Sequence, residues 1–196
     1  MINNNEITGF VLAGGKSSRM GHDKGLVEFN GKPMVMHSVN KLNEVCQNVF
    51  INANNPEYNN FGHDVIPDVL PDIGPLGGLF SCLFFSKAKY NIFLPCDMPL
   101  ISVDILKALA RFKNLAPIGM PVHENGYIEP LISLFDKEVV NSIIKLIITG
   151  SYRVDELLNY NPFYLIPLQE IFSSEDNWQF HNVNSKEELQ VHELLS

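Results

Sequence analysis

The sequence predicts an α/β protein of three layers, in which helices cover both faces of a mostly parallel sheet. Short apolar runs recur along the chain, longer amphipathic stretches separate them, and Gly or Pro residues mark most of the boundaries. The length of 196 residues suits one domain. Since no repeat or linker divides the chain, we expect a single domain over residues 1–196.

The first half of the chain alternates strands with helices. Residues 7–13 form an apolar run that ends in a glycine pair, which is typical of a buried strand leading into a turn. Residues 32–46 carry apolar side chains at helical spacing, and Pro33 is acceptable near a helix start. The other predicted elements here are strands at 48–53 and 65–66, a helix at 76–85, and a strand at 91–94 that Pro95 stops.

The second half continues the alternation. Ser102 is a candidate N-cap for a helix whose apolar residues follow at helical spacing. An Asn125-Gly126 pair lies between two further strand candidates, which is a hairpin signal. The elements predicted here are strands at 117–121 and 128–134 and helices at 136–148 and 185–194. In sheets of this kind ligands bind beyond the carboxyl ends of the strands.

Composition argues against several classes of function. The net charge of −8, from 22 acidic and 14 basic side chains, disfavours sequence-independent binding to nucleic acid or to an anionic membrane. Cys46, Cys82 and Cys96 are too widely spaced for a C-x-x-C pair, so we expect reduced thiols. The first residues lack the pattern of a signal peptide and no apolar run is long enough to span a membrane, which predicts a cytoplasmic protein.

The loop after the first strand, with the sequence LAGGKSSRMGHDK, has the composition of a polyphosphate site. The N–H groups of Gly14 and Gly15 can point at phosphate oxygens. Lys16, Arg19 and Lys24 supply the opposing charge. The loop is not a Walker A motif, because the position of the first glycine in that motif is occupied by phenylalanine, and its glycines are also wrongly spaced for G-x-G-x-x-G.

Three polar residues follow the strands at the same predicted edge of the sheet. Asp97, in the sequence PCDMP, can hold Mg²⁺, which needs only one or two carboxylates when it also binds substrate phosphates. Asn52 and Asp68 lie where they can contact a base or a ribose. Each of the three could equally be a turn former or a cap. Cys96 is interpreted as a buried apolar residue rather than as a nucleophile.

The first loop resembles the opening motif L-A-G-G-x-S-x-R-M-G-x-D-K of the molybdenum cofactor guanylyltransferases, MobA-like proteins of the sugar-nucleotidyltransferase-like superfamily, at all thirteen positions. The glycine pair favours the guanylyl branch, because cytidylyl and sugar-phosphate members usually have L-A-A-G. The sequence also resembles the family at P-C-D-x-P and at F-x-N-V-N, although Ser185 and Lys186 replace Thr-Pro after the latter. Residues 7–189 are covered, and the resemblance implies a Rossmann-like fold of the nucleotide-diphospho-sugar-transferase type in one nucleotidyltransferase domain.

The resemblance also implies roles for particular residues of this sequence. The residues implied to bind the nucleotide are Leu12, Ala13, Gly14, Gly15, Lys24, Asn52, Asp68 and Asp97. Catalytic roles are implied for Arg19, Lys24 and Asp97, of which Asp97 is the metal ligand. The residues implied to contact the acceptor are Gly78, Asn182 and Asn184, and residues 129–131 are placed near it.

The implied activity is transfer of GMP from GTP to molybdenum-molybdopterin, with release of pyrophosphate and with Mg²⁺ as cofactor. The substrates are then GTP and molybdenum-molybdopterin, and transient contacts with molybdenum-insertion proteins and acceptor molybdoenzymes are implied, without nucleic acid or membrane partners. The alternatives are a cytidylyltransferase or sugar-phosphate nucleotidyltransferase of the same fold, and a non-catalytic nucleotide-binding adaptor.

Overall fold

The computed structural model describes residues 6–14, 23–172 and 179–180. The strands in these ranges are β1 (Ile7–Leu12), β2 (Glu28–Phe29), β3 (Lys32–Pro33), β4 (Asn48–Asn52), β5 (Val65–Ile66), β6 (Tyr90–Pro95), β7 (Ile118–Val122), β8 (Ser133–Asp136) and β9 (Phe163–Pro167). The α-helices are α1 (Met34–Asn43), α2 (Pro75–Phe85), α3 (Val103–Arg111) and α4 (Val140–Ile148). Short 3₁₀ turns connect several of these elements.

Seven of the described strands form one sheet in the order β5-β4-β1-β6-β8-β7-β9. The pairs β4–β5, β1–β4, β1–β6 and β7–β9 are parallel, whereas β8 is antiparallel to both β6 and β7. Of these seven strands, β8 alone therefore runs against the others. The predicted mostly parallel sheet is confirmed.

Alternation along the strands produces one apolar core on each face of the sheet. On β1, Val11 contributes to the core that contains α1 and α3, and Phe10 contributes to the core that contains α2 and α4. Successive side chains of a strand point to opposite faces, so a strand between two helix layers is apolar throughout. All six residues of β1 and all six of β6 are buried. The three-layer arrangement is confirmed.

The helix that follows β6 begins where the sequence predicts. The Ser102 hydroxyl accepts a hydrogen bond from the Asp104 backbone N–H at 3.1 Å, which satisfies one of the free N–H groups at the start of α3. Ile105 and Leu109 are buried on the face that packs against the sheet. The predicted strands and helices of the first half also match the structure to within two residues at each end, with α1 as the exception described next.

The helix predicted at 32–46 begins only at Met34, because Lys32 and Pro33 belong to a small hairpin of β2 and β3. Asn30 and Gly31 form its two-residue turn, with positive φ values of 47° and 73°. This backbone conformation is typical of the Asn-Gly hairpin turn. The Nε2 of His37 on α1 donates to the Phe29 carbonyl at 2.8 Å and fixes the hairpin against the helix.

The strand predicted at 128–134 was wrong in extent. Ile128 forms only an isolated antiparallel bridge with Val122 across the Asn125-Gly126 turn, and β8 begins at Ser133. Pro130 lies between them and has no N–H to donate to a ladder. The sequence analysis also missed β9, an edge strand, while the helix predicted at 185–194 lies outside the described residues.

Within the described ranges, none of the helices combines the length and the hydrophobicity that crossing a bilayer requires.

Aromatic rings cross one face of the sheet in a row. Phe10 on β1 stacks with Phe50 and with Phe93 on β6, at ring-centroid distances of 5.6 and 5.3 Å. Phe93 then meets Phe135 on β8 edge to face at 5.6 Å. Such contacts add to the free energy gained from burial, so the row joins the parallel strands to the reversed one.

Replacing Phe93 with Ala should reduce the free energy of unfolding by about 3–5 kcal/mol, because it empties the centre of this row. Phe84 is 63% exposed at the end of α2, and Phe84→Ala should change the free energy of unfolding by less than about 1 kcal/mol. Urea unfolding followed by circular dichroism measures both. Equal losses in the two variants would contradict the assignment of the core.

Candidate active site

A cleft of about 740 Å³ lies at the carboxyl edge of the parallel strands. Its walls come from the residues that follow β1, β4, β5 and β6, from the first turn of α2, and from Leu131 before β8. Leu131 reaches this edge because β8 is reversed, so its amino end lies beside the carboxyl ends of its neighbours. The cleft has the position expected for a ligand site in an α/β sheet.

The register of β1 with its two neighbours fixes which residues of the three strands lie side by side at the floor of the cleft. Leu12 pairs with Asn52 on β4 and with Pro95 on β6. The pattern extends one residue further, since the Ala13 N–H donates to the Asn52 carbonyl at 2.9 Å and the Cys96 N–H to the Leu12 carbonyl at 3.1 Å. The residues predicted to bind a nucleotide on these three strands therefore leave the sheet at one level.

At one end of the cleft, two asparagines hold Asp68. Asn52 is 2% exposed, and its Nδ2 donates to the Ile66 carbonyl at 3.0 Å and to Asp68 Oδ1 at 2.9 Å. Asn54 Nδ2 donates to Asp68 Oδ2 at 3.0 Å, and its Oδ1 accepts from the Asp68 N–H at 2.9 Å. The two predicted residues Asn52 and Asp68 are brought together, and Asn54, which the sequence analysis did not select, completes their arrangement.

Helix α2 packs against the group formed by Asn52, Asn54 and Asp68. The buried Ser81 hydroxyl accepts from the Val69 N–H and donates to the Gly77 carbonyl, both at 2.8 Å, which ties the residue after Asp68 to the helix. A Cβ on Gly78 would lie 2.3 Å from Asn52 Oδ1, and one on Gly14 would lie 3.7 Å from Asp68 Oδ2. Glycine at position 78 therefore lets the helix approach Asn52 closely; its implied contact with the acceptor stays a prediction.

At the centre of the cleft, Lys24 lies beside Asp97. The Lys24 Nζ is 3.4 Å from Asp97 Oδ2, and the two side chains are 23% and 21% exposed. Lys24 belongs to a 3₁₀ turn that Asp23 caps, while Asp97 follows β6. The structure thus brings together two residues that are 73 positions apart in sequence and that were both selected from it.

The charged side chains among the described lining residues are all acidic except Lys24. Asp23, Asp68, Asp72 and Asp97 line the cleft, and Lys24 is the cation among the described lining residues. No Lys or Arg occurs between positions 42 and 86, the stretch that forms the end of the cleft near Asp68. Among the described lining residues, Lys24 is therefore the group that offers positive charge to an anionic ligand, and the end near Asp68 offers acceptors to a polar uncharged group.

Asp23 matches the first-loop motif, but the sequence analysis gave it no role. Its Oδ1 accepts from the Tyr58 hydroxyl at 2.5 Å, and its Oδ2 accepts from Asn55 Nδ2 at 3.3 Å. Tyr58 is fully buried, and burial raises the pKa of its phenol above the ordinary value, so the hydroxyl keeps its proton and donates. No local pattern announces this contact, because the two residues are separated by 35 positions.

The connection between β7 and β8 borders the other end of the cleft. His123 Nε2 and Glu129 Oε1 are 2.8 Å apart, and Glu129 is 8% exposed. Burial raises the pKa of the Glu129 carboxyl, although its hydrogen bond with His123 opposes the shift. The His123 ring also meets Phe180 edge to face at 4.7 Å. These contacts brace the connection that presents Leu131 to the cleft.

All three cysteines are buried with free thiols. Burial, reinforced by the charges of Asp97 and Asp23, raises the pKa of Cys96 above its ordinary value. A thiol in this state is a poor nucleophile. Cys96 is thus a packing residue, in agreement with the sequence-based interpretation. The predicted site residues Gly15, Arg19, Asn182 and Asn184, as well as Lys16, lie outside the described residues.

The sheet topology, with a cleft at the carboxyl ends of the parallel strands lined by Gly14, Lys24 and Asp97, is that of a ligand-binding α/β protein. The sequence model of the MobA-like NTP transferase domain matches residues 9–161. The chain belongs to this family.

Relatives of known name agree with the family. The chain is 35% identical over 203 residues to the molybdenum cofactor guanylyltransferase of Ralstonia nicotianae, with 96% of this chain and 97% of the relative covered. It is 31% identical over 203 residues to the molybdenum cofactor guanylyltransferase of Cupriavidus metallidurans, with 98% and 97% covered. The crystal structure of molybdopterin-guanine dinucleotide biosynthesis protein A from Archaeoglobus fulgidus shares the fold, with a TM-score of 0.80, 19% identity, and 96% and 97% of the two chains covered.

Substituting Gly78 with Ala should reduce the free energy of unfolding by about 1–3 kcal/mol, because the new Cβ displaces an Asn52 side chain that two hydrogen bonds hold. Gly119 on β7 is the matched control, since its added Cβ would meet only ordinary contacts at 3.6 and 3.8 Å. Gly119→Ala should leave the free energy of unfolding within about 0.5 kcal/mol of the unmodified protein. Chemical unfolding measures the free energy of unfolding of both variants. Equal values for Gly78→Ala and Gly119→Ala would contradict the packing of Gly78 against Asn52.

Proposed function

We propose that this chain is a molybdenum cofactor guanylyltransferase that transfers GMP from GTP to molybdenum-molybdopterin and releases pyrophosphate. The observation that carries the proposal is the Lys24–Asp97 pair, 3.4 Å apart in the cleft that Gly14 also lines. A cation and a carboxylate at this point are what a triphosphate and its metal require. The names of the relatives supply the acceptor and the base.

The nucleotide fits along the edge of the sheet. Asp68 follows β5 and Asp97 follows β6, with the ends of β4 and β1 between them in the order β5-β4-β1-β6. The Asp68 carboxylate leans toward the end of β1, since a Cβ on Gly14 would lie 3.7 Å from its Oδ2. We place the nucleoside at Asn52 and Asp68 and the phosphates at Leu12, Ala13, Gly14 and Lys24.

Guanylyl transfer needs few reacting groups from the protein. An oxygen of the molybdopterin phosphate attacks the α-phosphorus of GTP, a new P–O bond forms, and the bond to the β-phosphate oxygen breaks. Pyrophosphate carries away the electron pair. Because the attacking phosphate is already anionic near neutral pH, no protein base is needed. Catalysis then consists of positioning the substrates and neutralising charge. The ammonium group of Lys24 would neutralise negative charge on the phosphates.

The residues at the end of β6 suit a divalent metal, and Mg²⁺ in particular. Asp97 offers a partly exposed carboxylate on the cleft floor, and one or two carboxylates together with substrate phosphates make a common Mg²⁺ site. When bound, Mg²⁺ would supply positive charge to the triphosphate. Asp97 would hold the ion, and Lys24 would then be available to the phosphates.

The remaining assignments follow the sequence. Gly15, Lys16 and Arg19 would complete the phosphate loop, with Arg19 acting beside Lys24. The acceptor would lie near Leu131, with contacts from Asn182 and Asn184. The contact implied for Gly78 would require the acceptor to extend to the end of the cleft where Gly78 packs against Asn52. Reduced, buried thiols suit a cytoplasmic enzyme, which would receive its acceptor from molybdenum-insertion proteins and deliver its product to molybdoenzymes.

The base can be tested directly. With molybdenum-molybdopterin and Mg²⁺, GTP should give the dinucleotide product and pyrophosphate, while CTP, ATP and UTP should give at least about 100-fold less, since a polar base site rejects a mismatched edge strongly. Mass analysis of the product from each nucleotide measures this. Faster transfer from CTP would instead indicate a cytidylyltransferase, and GTP binding without pyrophosphate release would indicate an adaptor.

The role of Asp97 is tested by Asp97→Asn, which keeps the shape of the side chain and removes its charge. Turnover with GTP should fall by about 100-fold or more. Asp104, 65% exposed at the start of α3, provides the control, and Asp104→Asn should retain turnover within about twofold. Pyrophosphate release measures both, with circular dichroism as the test of folding. Undiminished turnover in Asp97→Asn would exclude Asp97 as the metal ligand.

A further inference from the structure

The carboxylate of Asp23 is held by a segment that lies outside the phosphate loop. Tyr58 donates to its Oδ1 at 2.5 Å and Asn55 donates to its Oδ2 at 3.3 Å, so each oxygen has a partner on the turn that follows β4. The Gly25 N–H also donates to Oδ1, at 3.3 Å. We call these four residues, Asp23, Gly25, Asn55 and Tyr58, the Asp23 latch.

Burial makes the latch rigid. Tyr58 is 0% exposed, and its ring packs against Phe61 at 6.1 Å. The hydroxyl is wedged against the backbone, since a Cβ on Gly25 would lie 2.3 Å from it. A hydrogen bond to a carboxylate is stronger than one between neutral groups, and the buried Tyr58 hydroxyl donates one to the half-buried Asp23.

The latch holds the backbone on both sides of Lys24. Asp23 is the N-cap of the 3₁₀ turn at Lys24–Leu26, and Gly25 receives the close contact from Tyr58. A lysine side chain has four rotatable bonds, so only a fixed backbone keeps its ammonium group over one place. Here that place is 3.4 Å from Asp97 Oδ2.

The same turn also reaches the other end of the cleft. Asn54 holds Asp68 while the next residue, Asn55, holds Asp23. Asn55 Oδ1 in addition accepts from the Glu57 N–H at 3.0 Å, which fixes its side chain in the turn. One short segment therefore contacts both the proposed nucleoside site and the turn that carries the proposed phosphate-binding lysine.

We propose that Tyr58 and Asn55 are positioning residues for nucleotidyl transfer, which act through Asp23 to fix Lys24 at the phosphates of the nucleotide. This inference rests on the proposed function for the role of Lys24. Tyr58 lies outside the lining of the cleft, and Asn55, which borders the cleft, directs its Nδ2 to Asp23. Negative charge on the leaving pyrophosphate grows in the transition state, so a misplaced Lys24 should lower kcat more than it raises KM.

Tyr58→Phe is the test, because it removes one hydroxyl and keeps the buried ring. We expect kcat to fall by about 10- to 100-fold, while KM for GTP changes by less than about threefold. Tyr90 is the matched control: it is 4% exposed and donates to Asn114 Oδ1 at 2.7 Å, but it lies at the start of β6, away from the cleft. Tyr90→Phe should keep kcat within about twofold.

Two further variants test the route through Lys24. In a Lys24→Ala background, adding Tyr58→Phe should cost less than about twofold, because residues that act through one group are not additive. Asn55→Asp keeps the acceptor for Glu57 and replaces the donor to Asp23 with a like charge, so it should lower kcat in the same direction as Tyr58→Phe. Equal kcat in Tyr58→Phe and Tyr90→Phe, or the same fractional loss with and without Lys24, would overturn the latch.

Hydrogen exchange separates failure of the latch from failure of the proposed function. In Tyr58→Phe, the backbone amides of residues 24–27 should exchange at least about tenfold faster, while those of β1 and β6 stay protected and show that the fold is intact. If the unmodified protein transfers no nucleotide, the proposed function fails, and exchange still decides whether Tyr58 fixes this turn. Unchanged exchange at residues 24–27 would overturn the latch on its own.

Discussion

The parallel pairing of β1 with β4 on one side and β6 on the other sets the level at which three segments leave the sheet. Because Leu12 is in register with both Asn52 and Pro95, Gly14, the buried Asn52 and the strand-end Asp97 all line one cleft. Parallel strands must be covered on both faces, so the two helix layers hold these strands in place from above and below. The positions of the polar groups thus depend on an apolar core in which they take no part.

Three carboxylates of the cleft are held by neighbouring side chains. Asp68 is held by two asparagines, Asp23 by a tyrosine and an asparagine, and Asp97 lies beside a lysine. A site arranged in this way can bind its ligand without first reorienting its own polar groups. Such preorganisation is the main contribution expected of a protein that catalyses phosphoryl transfer by positioning its substrates. The acidic net charge is compatible with a triphosphate ligand because three of the 14 basic residues, Lys16, Arg19 and Lys24, lie in the sequence of the first loop.

The sequence predicted those parts of the fold that depend on local pattern. Buried runs identified β1, β4 and β6, and a serine hydroxyl identified the start of α3. The sequence analysis missed β9, an edge strand whose partner β7 is distant in sequence. It also missed the β2–β3 hairpin, although the Asn30-Gly31 pair is a hairpin signal. Asp97 and Lys24 were found because their motifs are contiguous. Tyr58 was not, since only the folded chain brings its hydroxyl to Asp23.

Because β8 is reversed, the two ends of the cleft are built from different kinds of segment. The strands that carry the proposed nucleotide site all run in one direction and are locked by parallel pairing, so insertions among them would disturb the sheet. The proposed acceptor end is instead formed by the connection from β7 into the reversed β8, which His123 and Glu129 brace. Changes of length and composition are tolerated best in such connections. Descendants of this fold could therefore exchange one acceptor for another while the nucleotide half of the molecule stays the same.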